Sequence, residues 1–224
     1  SMRYGLELRY HNMPGVMKGS GRDRYSLGAH LSYAPNKKFI FRNVLTVAQV
    51  KSEDSPYGSF LNFVRMNPYH PKTDADGRIS QEVDEWLIDT RRSDSLQYVT
   101  DNVLNPMYNG TLSSFGKGEY VELIDAFSAE WNITKALRLR PLISVTNIKS
   151  TFDNFLSPLS NEFFHYPASR INEKGRYTYT TIDEKIFDGN VTLTYNKQIA
   201  DHFLNIAVGT NARTERSDLK SITA

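Results

Sequence analysis

The sequence predicts an all-β fold, an antiparallel meander of about seven strands with the pattern of a transmembrane β-barrel and with long extracellular loops. The predicted strands alternate apolar and polar side chains, and the connections between them alternate between long and short. Successive side chains of a strand point to opposite faces, so each strand has an apolar and a polar side. In a membrane barrel the apolar side meets lipid and the polar side lines the lumen.

The clearest strand is the second one, Arg24–Tyr33. Leucine, alanine and tyrosine side chains occupy its odd positions, while arginine, serine, glycine and histidine occupy the even ones. Six further segments carry the same pattern to differing degrees, and the third is the weakest because apolar residues occur on both of its faces. The seven predicted strands are Arg3–Tyr10, Arg24–Tyr33, Lys38–Lys51, Glu119–Asn132, Leu137–Phe152, Lys185–Asn196 and a last strand with Leu204, Ile206 and Val208 on one face.

Turn-forming residues separate these strands. Pro35 and Asn36 predict a tight turn after the second strand, because both residues suit turn dihedral angles. Further short turns are predicted near Thr134 and between Gln198 and Asp201. Pro141 lacks the N–H that a strand ladder needs, and therefore predicts a bulge or a sheet edge.

The long connections are predicted at about residues 11–21, 52–118 and 153–184. The longest contains four prolines and no sustained period, and loops of that length usually have a function. Within it, Gln81–Ile88 is predicted to form a short helix or strand. Outer-membrane barrels place short turns on the periplasmic side and long loops outside, so the order predicts that the chain enters from the periplasmic face.

Aromatic residues gather near the short turns and mostly on the apolar face, which is typical of the aromatic girdle at a membrane surface. The alternative is the general enrichment of aromatic residues in strands. The residues concerned are Tyr4, Tyr33, Phe39, Trp131 and Tyr195.

Composition narrows the function further. The chain has 224 residues, 27 basic and 25 acidic, so neither nucleic acid nor an anionic surface is indicated as a partner. No cysteine is present, which excludes disulfides and thiolate chemistry. No apolar run of about 18 residues predicts a membrane-spanning helix. No signal peptide is visible, and the abrupt start in a strand predicts an excised fragment.

The residues do not nominate catalytic chemistry. Asp74–Gly77 resembles the start of a calcium loop, but Lys72 and Val83 stand where that loop needs oxygen ligands, and a β-turn explains it better. The five histidines lack metal-ligand spacing. Neither a nucleophile motif nor a phosphate loop occurs. We therefore expect no enzyme activity, no catalytic residue, no metal and no cofactor.

Binding is the remaining function that the residues suggest. Aromatic residues stand among polar ones in the longest connection, where their rings can stack on sugars or peptides. The competing interpretation is that they pack this loop against its neighbours. The candidate substrate-binding residues are Tyr57, Tyr69, Trp86 and Tyr108.

Six phrases in the chain resemble, in the same order, the barrel region of the SusC/RagA family of TonB-linked outer-membrane transporters. They are Gly15–Ser20 (GVMKGS), Lys37–Asn43 (KKFIFRN), Thr46–Ser52 (TVAQVKS), Ser55–Phe60 (SPYGSF), Arg65–Tyr69 (RMNPY) and Asn105–Asn109 (NPMYN). The resemblance covers most of the chain and is specific as a series. It implies a whole barrel of roughly 22 strands, of which this chain is an unclosed arc.

The resemblance also implies a function and partners. It predicts a barrel segment of a TonB-dependent nutrient importer in the outer membrane of a Gram-negative bacterium, serving glycan or oligosaccharide uptake, or peptide uptake. The implied partners are a SusD-like surface lipoprotein and TonB, the latter through a plug and a contact segment absent from this chain. Two alternatives stay open from the residues: a soluble secreted carbohydrate-binding β-sandwich and a surface adhesin.

Overall fold

The computed structural model describes residues 1–89 and 98–224. These residues form two sheets, an antiparallel sheet of seven strands and a separate sheet of two strands. The large sheet follows chain order, with β4 and β5 inserted between its third and fourth strands. The strands are β1 Met2–Pro14, β2 Gly21–Tyr33, β3 Phe39–Glu53, β4 Glu82–Asp89, β5 Tyr98–Leu104, β6 Phe115–Asn132, β7 Leu137–Leu156, β8 Arg176–Ile199 and β9 His202–Thr223.

All seven predicted strands are therefore confirmed, and the prediction of an antiparallel meander is correct. Most are longer than predicted, above all β8, which begins at Arg176 where the sequence placed a loop until residue 184. The reason is that the charged run Asp183–Lys185 interrupts the apolar alternation between Tyr179 and Phe187, so the pattern does not show that one strand continues, although ladder hydrogen bonds hold the extension to its neighbours.

The longest connection contains secondary structure of its own. The segment predicted as a short helix or strand forms β4, which pairs with β5. A short helix α1, Phe60–Val64, precedes this pair, and a 3₁₀ turn at Tyr108–Thr111 follows it. The next connection carries 3₁₀ turns at Asn161–Phe163 and Ala168–Glu173. Residues 90–97, which also belong to the predicted long loop, lie outside the described part.

The short turns are made by side chains at one end of the sheet, here called the short-turn end. Asn36 Oδ1 accepts hydrogen bonds from the backbone N–H groups of Lys38 and Phe39, at 2.8 and 3.1 Å. Thr134 Oγ1 accepts from Ala136 and Leu137 in the same way. The third turn needs only two residues, of which Ala200 has a positive φ of 52°. The long connections lie at the opposite, long-loop end.

Pro141 lies in an interior strand, so the prediction of a sheet edge there is wrong. β7 has β6 on one side and β8 on the other. The ladder to β6 lacks the pairs of Pro141 and Arg140 and resumes at Trp131 opposite Leu139 in the same register. A missing proline N–H thus costs a local gap in the hydrogen bonds rather than a bulge.

Exposure is inverted relative to a soluble protein. Along β6 the odd positions from Lys117 to Phe127, which include Val121, Leu123 and Phe127, are exposed, whereas the even positions between them are partly covered. The part of the chain that the structure describes contains only three buried apolar side chains: Ala48, Val50 and Phe163. Ala48 and Val50 lie on the polar face of β3. Side chains on that face shield one another, so the polar face is the crowded one.

Val50 and Val44 provide a test of this crowding, because both lie on the polar face of β3 but only Val50 is buried, at 1% exposure against 46%. Val50→Ala removes two buried methyl groups and should lower the free energy of unfolding by about 2 kcal/mol. Val44→Ala is the matched control and should cost less than half as much. Urea unfolding midpoints measure both, and equal losses would contradict the assignment of the crowded face.

Candidate functional site

The apolar face of the large sheet forms a continuous belt. Many of its members are exposed, from Leu6 and Leu8 in β1 to Ile206 and Val208 in β9. The exposed large apolar side chains of this face include Tyr4, Leu6, Leu8, Tyr10, Tyr25, Leu31, Tyr33, Val121, Leu123, Phe127, Trp131, Ile143, Val145, Phe187, Val191, Leu193, Leu204, Ile206 and Val208. Contiguous apolar surface of this extent marks an interface with lipid or protein.

The belt runs obliquely across the strands. At the long-loop end, the row that starts at Tyr25 passes through Gln49, Val121 and Lys149 to Asp183. Asp183 is polar, and on this face of β8 a polar run (Thr181, Asp183 and Lys185) separates Phe187, four residues nearer the short-turn end, from the rings of Tyr177 and Tyr179. The upper edge of the belt therefore moves by about one residue per strand between β2 and β8, as a tilted barrel requires.

The lower edge of the belt moves by the same amount. Tyr33 pairs with Phe41, and in β8 the equivalent row ends at Val191, yet the apolar side chains continue four residues further to Tyr195. A drift of about one residue per strand, at 3.4 Å rise and 4.8 Å spacing, corresponds to a strand tilt of about 35°. The belt is then about 22 Å tall, close to the lipid-facing band of outer-membrane barrels.

The five predicted girdle aromatics all lie on the apolar face. Phe39 and Trp131 stack at 5.7 Å between ring centroids, next to Tyr33 and Tyr195 along the lower edge. Tyr4 lies one step inside the edge, opposite Leu31. Sequence analysis missed a second aromatic pair at the upper edge, Tyr10 and Tyr25, whose centroids are 4.9 Å apart. The pattern was visible, because both rings continue the apolar face.

One polar pair interrupts the belt. Asn43 Nδ2 donates a hydrogen bond of 2.6 Å to Asp125 Oδ1 on the neighbouring strand. Asp125 stands opposite Leu45 on one side and Val145 on the other. A carboxylate surrounded by apolar side chains needs a polar partner, and Asn43 supplies one from within the same face.

At the long-loop end, the two longest connections are hydrogen-bonded together through Asn105. This side chain is buried, at 3% exposure. Its Nδ2 donates to Lys72 O at 3.1 Å, and its Oδ1 accepts from Met107 N at 3.0 Å. Its backbone O accepts from Asn161 Nδ2 at 2.9 Å. Because Asn161 belongs to the β7–β8 connection, this contact ties one loop to the other.

A second set of bonds repeats the link. Asn109 Oδ1 accepts from Asn161 N at 3.0 Å, and Ser114 Oγ accepts from Ser157 N at 2.9 Å. Gln81 Nε2 donates to Leu159 O at 3.1 Å. We call this set the loop clamp: Gln81, Asn105, Asn109, Ser114, Ser157, Leu159 and Asn161. It makes the two connections one polar platform above the belt.

A cavity of about 300 Å³ opens beside the loop clamp, lined by Asp54, Asn109, Phe115, Glu162 and Arg176 among others. Arg176 Nη1 lies 3.0 Å from Glu162 Oε1, so one charged pair closes its side. The cavity offers amide, carboxylate and aromatic groups to a solute, which suits binding rather than bond-breaking chemistry.

The four candidate aromatics do not form one cluster. Tyr57 packs edge-on against Phe63, and a Cβ at Gly110 would lie 2.1 Å from its ring, so Tyr57 anchors the loop. Tyr108 begins the 3₁₀ turn beside the loop clamp and is partly covered. Tyr69 is 93% exposed and Trp86 54% exposed. The stacking interpretation therefore keeps Tyr69 and Trp86, whereas packing explains Tyr57.

Trp86 is held by a hydrogen bond from its indole Nε1 to Asp84 Oδ2 at 2.8 Å. This bond, with further help from the backbone N–H of Glu85 and from His70, holds the pKa of the Asp84 carboxyl below its usual value. The contact is complete above the ordinary aspartate pKa and weakens as pH falls through the lowered one. The indole is thus oriented at neutral pH.

Two further classes of site were checked over residues 1–89 and 98–224. None of the helices found there is long and apolar enough to cross a membrane. No group of three histidine or acidic side chains in the same residues is arranged to hold a metal ion.

The loop clamp depends on Asn105 in a way that mutation can test. Asn105→Ala keeps the backbone carbonyl that Asn161 binds, but it removes the side-chain bonds to Lys72 and Met107 that hold this carbonyl in place and leaves buried partners unsatisfied, at a cost of about 1–3 kcal/mol for local opening. Hydrogen exchange of the two loops measures this loss of protection. Asn67→Ala is the control, because Asn67 bonds only Tyr69 N in an exposed turn. Protection unchanged in Asn105→Ala would contradict the clamp.

Comparison with known proteins gives a consistent result for the fold. No protein-family model matches the sequence, and no curated protein sequence matches it significantly. Solved structures do match. A chain of the RagAB peptide transporter has a TM-score of 0.68 and 13% identity over all of this chain and 24% of its own.

Two states of the RagAB peptide importer are also similar. The open-open state has a TM-score of 0.71 and 14% identity, covering 99% of this chain and 23% of its own. The closed-closed state has a TM-score of 0.58 and 10% identity, covering 99% and 27%. This chain thus spans about a quarter of the solved chains it matches. The predicted fold is confirmed: the chain folds like a segment of the RagAB chains that it matches.

Proposed function

We propose that this chain is part of the barrel wall of a TonB-dependent nutrient importer in a Gram-negative outer membrane. One observation carries the proposal: the tilted belt of exposed apolar side chains on one face of the sheet, with the polar face more crowded. In water such a belt would be unfavourable by about 25 cal/mol for each Å² of apolar surface. In lipid it needs no cover.

The proposed setting explains both faces. The polar face would line a lumen, and the long loops would stand outside the cell, above the upper edge of the belt. The alternative of a soluble β-sandwich requires a second sheet packed on the apolar face. Among the residues that the structure describes, the other sheet is only the β4–β5 pair, and the belt remains exposed.

An arc of seven strands does not close a lumen wide enough for nutrients. The proposal therefore assigns gating and energy coupling to parts outside this chain, with TonB and a SusD-like surface lipoprotein as partners. The partners are proposed from the sequence resemblance to the SusC/RagA family, and the name of the RagAB peptide transporter supports the transport role. The rigid platform made by the loop clamp offers a surface for it. The neighbours are transporters, which agrees with the prediction that the chain is not an enzyme.

The substrate class is proposed as an oligomeric nutrient. Sequence resemblance favoured a glycan, whereas RagAB is described as a peptide importer. Both ligands can stack on Tyr69 and Trp86, which are exposed on the same long connection. Both rings lie away from the buried part of the loop and are therefore accessible to a substrate.

The membrane setting is tested by charge placement on β6. Phe127→Arg puts a charge into the belt and should destabilise the folded protein in bilayers by about 2–4 kcal/mol. Ala126→Arg, the residue before Phe127, lies on the polar face opposite Val44 and Ser144 and should cost under half as much. Refolding of the full-length protein into vesicles measures both. Equal effects, or recovery of the wild type in the soluble fraction without detergent, would overturn the proposal.

The binding role is tested by Tyr69→Ala and Trp86→Ala in the full-length protein. Each should weaken substrate affinity roughly two- to tenfold, because stacking of a sugar or peptide group on an aromatic ring is worth about 0.5–1.5 kcal/mol, and should leave the melting temperature unchanged. Tyr57→Ala is the contrast and should lower loop stability. Titration with maltoheptaose and with a neutral heptapeptide shows which class binds. Unchanged affinity for both ligands in both variants would remove these residues from the site.

A further inference from the structure

Three arginines surround a single carboxylate on the polar face near the short-turn end. Arg140 Nε lies 3.1 Å from Glu130 Oε2, Arg138 Nε lies 3.5 Å from Glu130 Oε1, and Arg42 Nη1 lies 3.9 Å from Glu130 Oε2. Glu130 is buried, at 7% exposure, whereas the three arginine side chains are each about half exposed. We call these four residues the arginine cluster.

The charges of this cluster do not balance. One carboxylate faces three guanidinium groups, which leaves a net charge of +2 within the set. Arg213, on the same face of β9, is different: its guanidinium lies 4.0 Å from Asp188 and 3.3 Å from Glu215. Within the arginine cluster, in contrast, the positive charge exceeds the negative charge.

The unused donors face a concavity. A depression of about 390 Å³ is lined by Arg42, Glu130, Arg140, Asn190 and Thr192 among others. Thr192 Oγ1 donates to Asn190 Oδ1 at 3.1 Å, which leaves the Asn190 amide hydrogens as donors. Arg140 binds Glu130 through Nε, so its two Nη groups remain for another acceptor. Guanidinium and amide donors thus converge on one space.

We propose that the arginine cluster is a binding site for a carboxylate group. A guanidinium presents parallel N–H donors that match the two oxygens of a carboxylate, and Glu130 shows that the cluster already accepts one. The surplus charge and the Asn190 amide provide for a second. The inference rests on the proposed function for its setting, since the polar face would line the lumen, and it extends the substrate class to solutes that carry a carboxylate.

Two sources can supply that carboxylate: a solute in the lumen or an acidic side chain of a protein segment inside it. Acetyl-tetra-alanine with a free carboxyl terminus is the solute probe, and its carboxamide is the matched neutral probe. Calorimetric titration of the detergent-solubilised full-length protein should give an affinity at least tenfold higher for the acid than for the amide. Arg42→Gln with Arg140→Gln should remove that preference, while Arg213→Gln should retain it.

The second source has its own measurement. If a protein carboxylate already occupies the site, the acid probe binds no better than the amide, and the triple change Arg42→Gln, Glu130→Gln, Arg140→Gln lowers the melting temperature by several degrees relative to Glu130→Gln alone. This comparison removes the Glu130 pairs from both proteins, so the loss reports an outside carboxylate. The proposal is overturned if the acid and amide probes bind with the same affinity and the triple variant has the same melting temperature as Glu130→Gln. Outer-membrane fractionation of the same variants reports the proposed function independently.

Discussion

The register of the seven-stranded ladder is the constraint on which the rest of this structure depends. Because side chains alternate with a period of two, a slip by one residue would move every belt residue to the crowded face and every polar one to the exposed face. The ladder runs without a shift from β1 to β9, even past the gap at Pro141. Backbone hydrogen bonds and the apolar pattern thus specify the same register.

The register also explains why the long-loop end of the sheet differs from the belt. The strands extend beyond the belt at the long-loop end, where polar pairs replace apolar ones, as Gln49 and Glu119 show by their mutual hydrogen bond. These extensions carry the loops away from the apolar surface. The loop clamp joins the two longest connections by hydrogen bonds, while the rings of Tyr69 and Trp86 in the first of them stay exposed.

Polar groups are arranged differently on the two faces of the sheet. In the belt, Asn43 and Asp125 satisfy each other, which limits the cost of a carboxylate among apolar side chains. On the polar face, by contrast, the arginine cluster holds more positive charge than Glu130 neutralises. The first arrangement is closed on itself, while the second retains donors for a further group. The difference separates a structural pair from a candidate binding site.

The sequence by itself determined the class of fold, the existence and order of the seven strands, and the face of each aromatic girdle residue, because a period of two is local and survives in any β-sheet. It did not reveal β5, whose residues alternate poorly, or the polar strand extensions, whose ladder partners lie more than twenty residues away. For the candidate site, the sequence identified Tyr69 and Trp86 as aromatic but could not separate them from Tyr57, which Gly110 and Phe63 enclose.

Only the tertiary structure decided which polar residues act together. Arg42, Glu130 and Arg140 come from three different strands, and Asn105 meets Asn161 across 56 positions of the chain. The oblique course of the belt was equally hidden, since it exists only when the registers of neighbouring strands are aligned. Alternation along one strand is fixed by the backbone of that strand, whereas tilt, clamp and charge cluster require the pairing of distant segments.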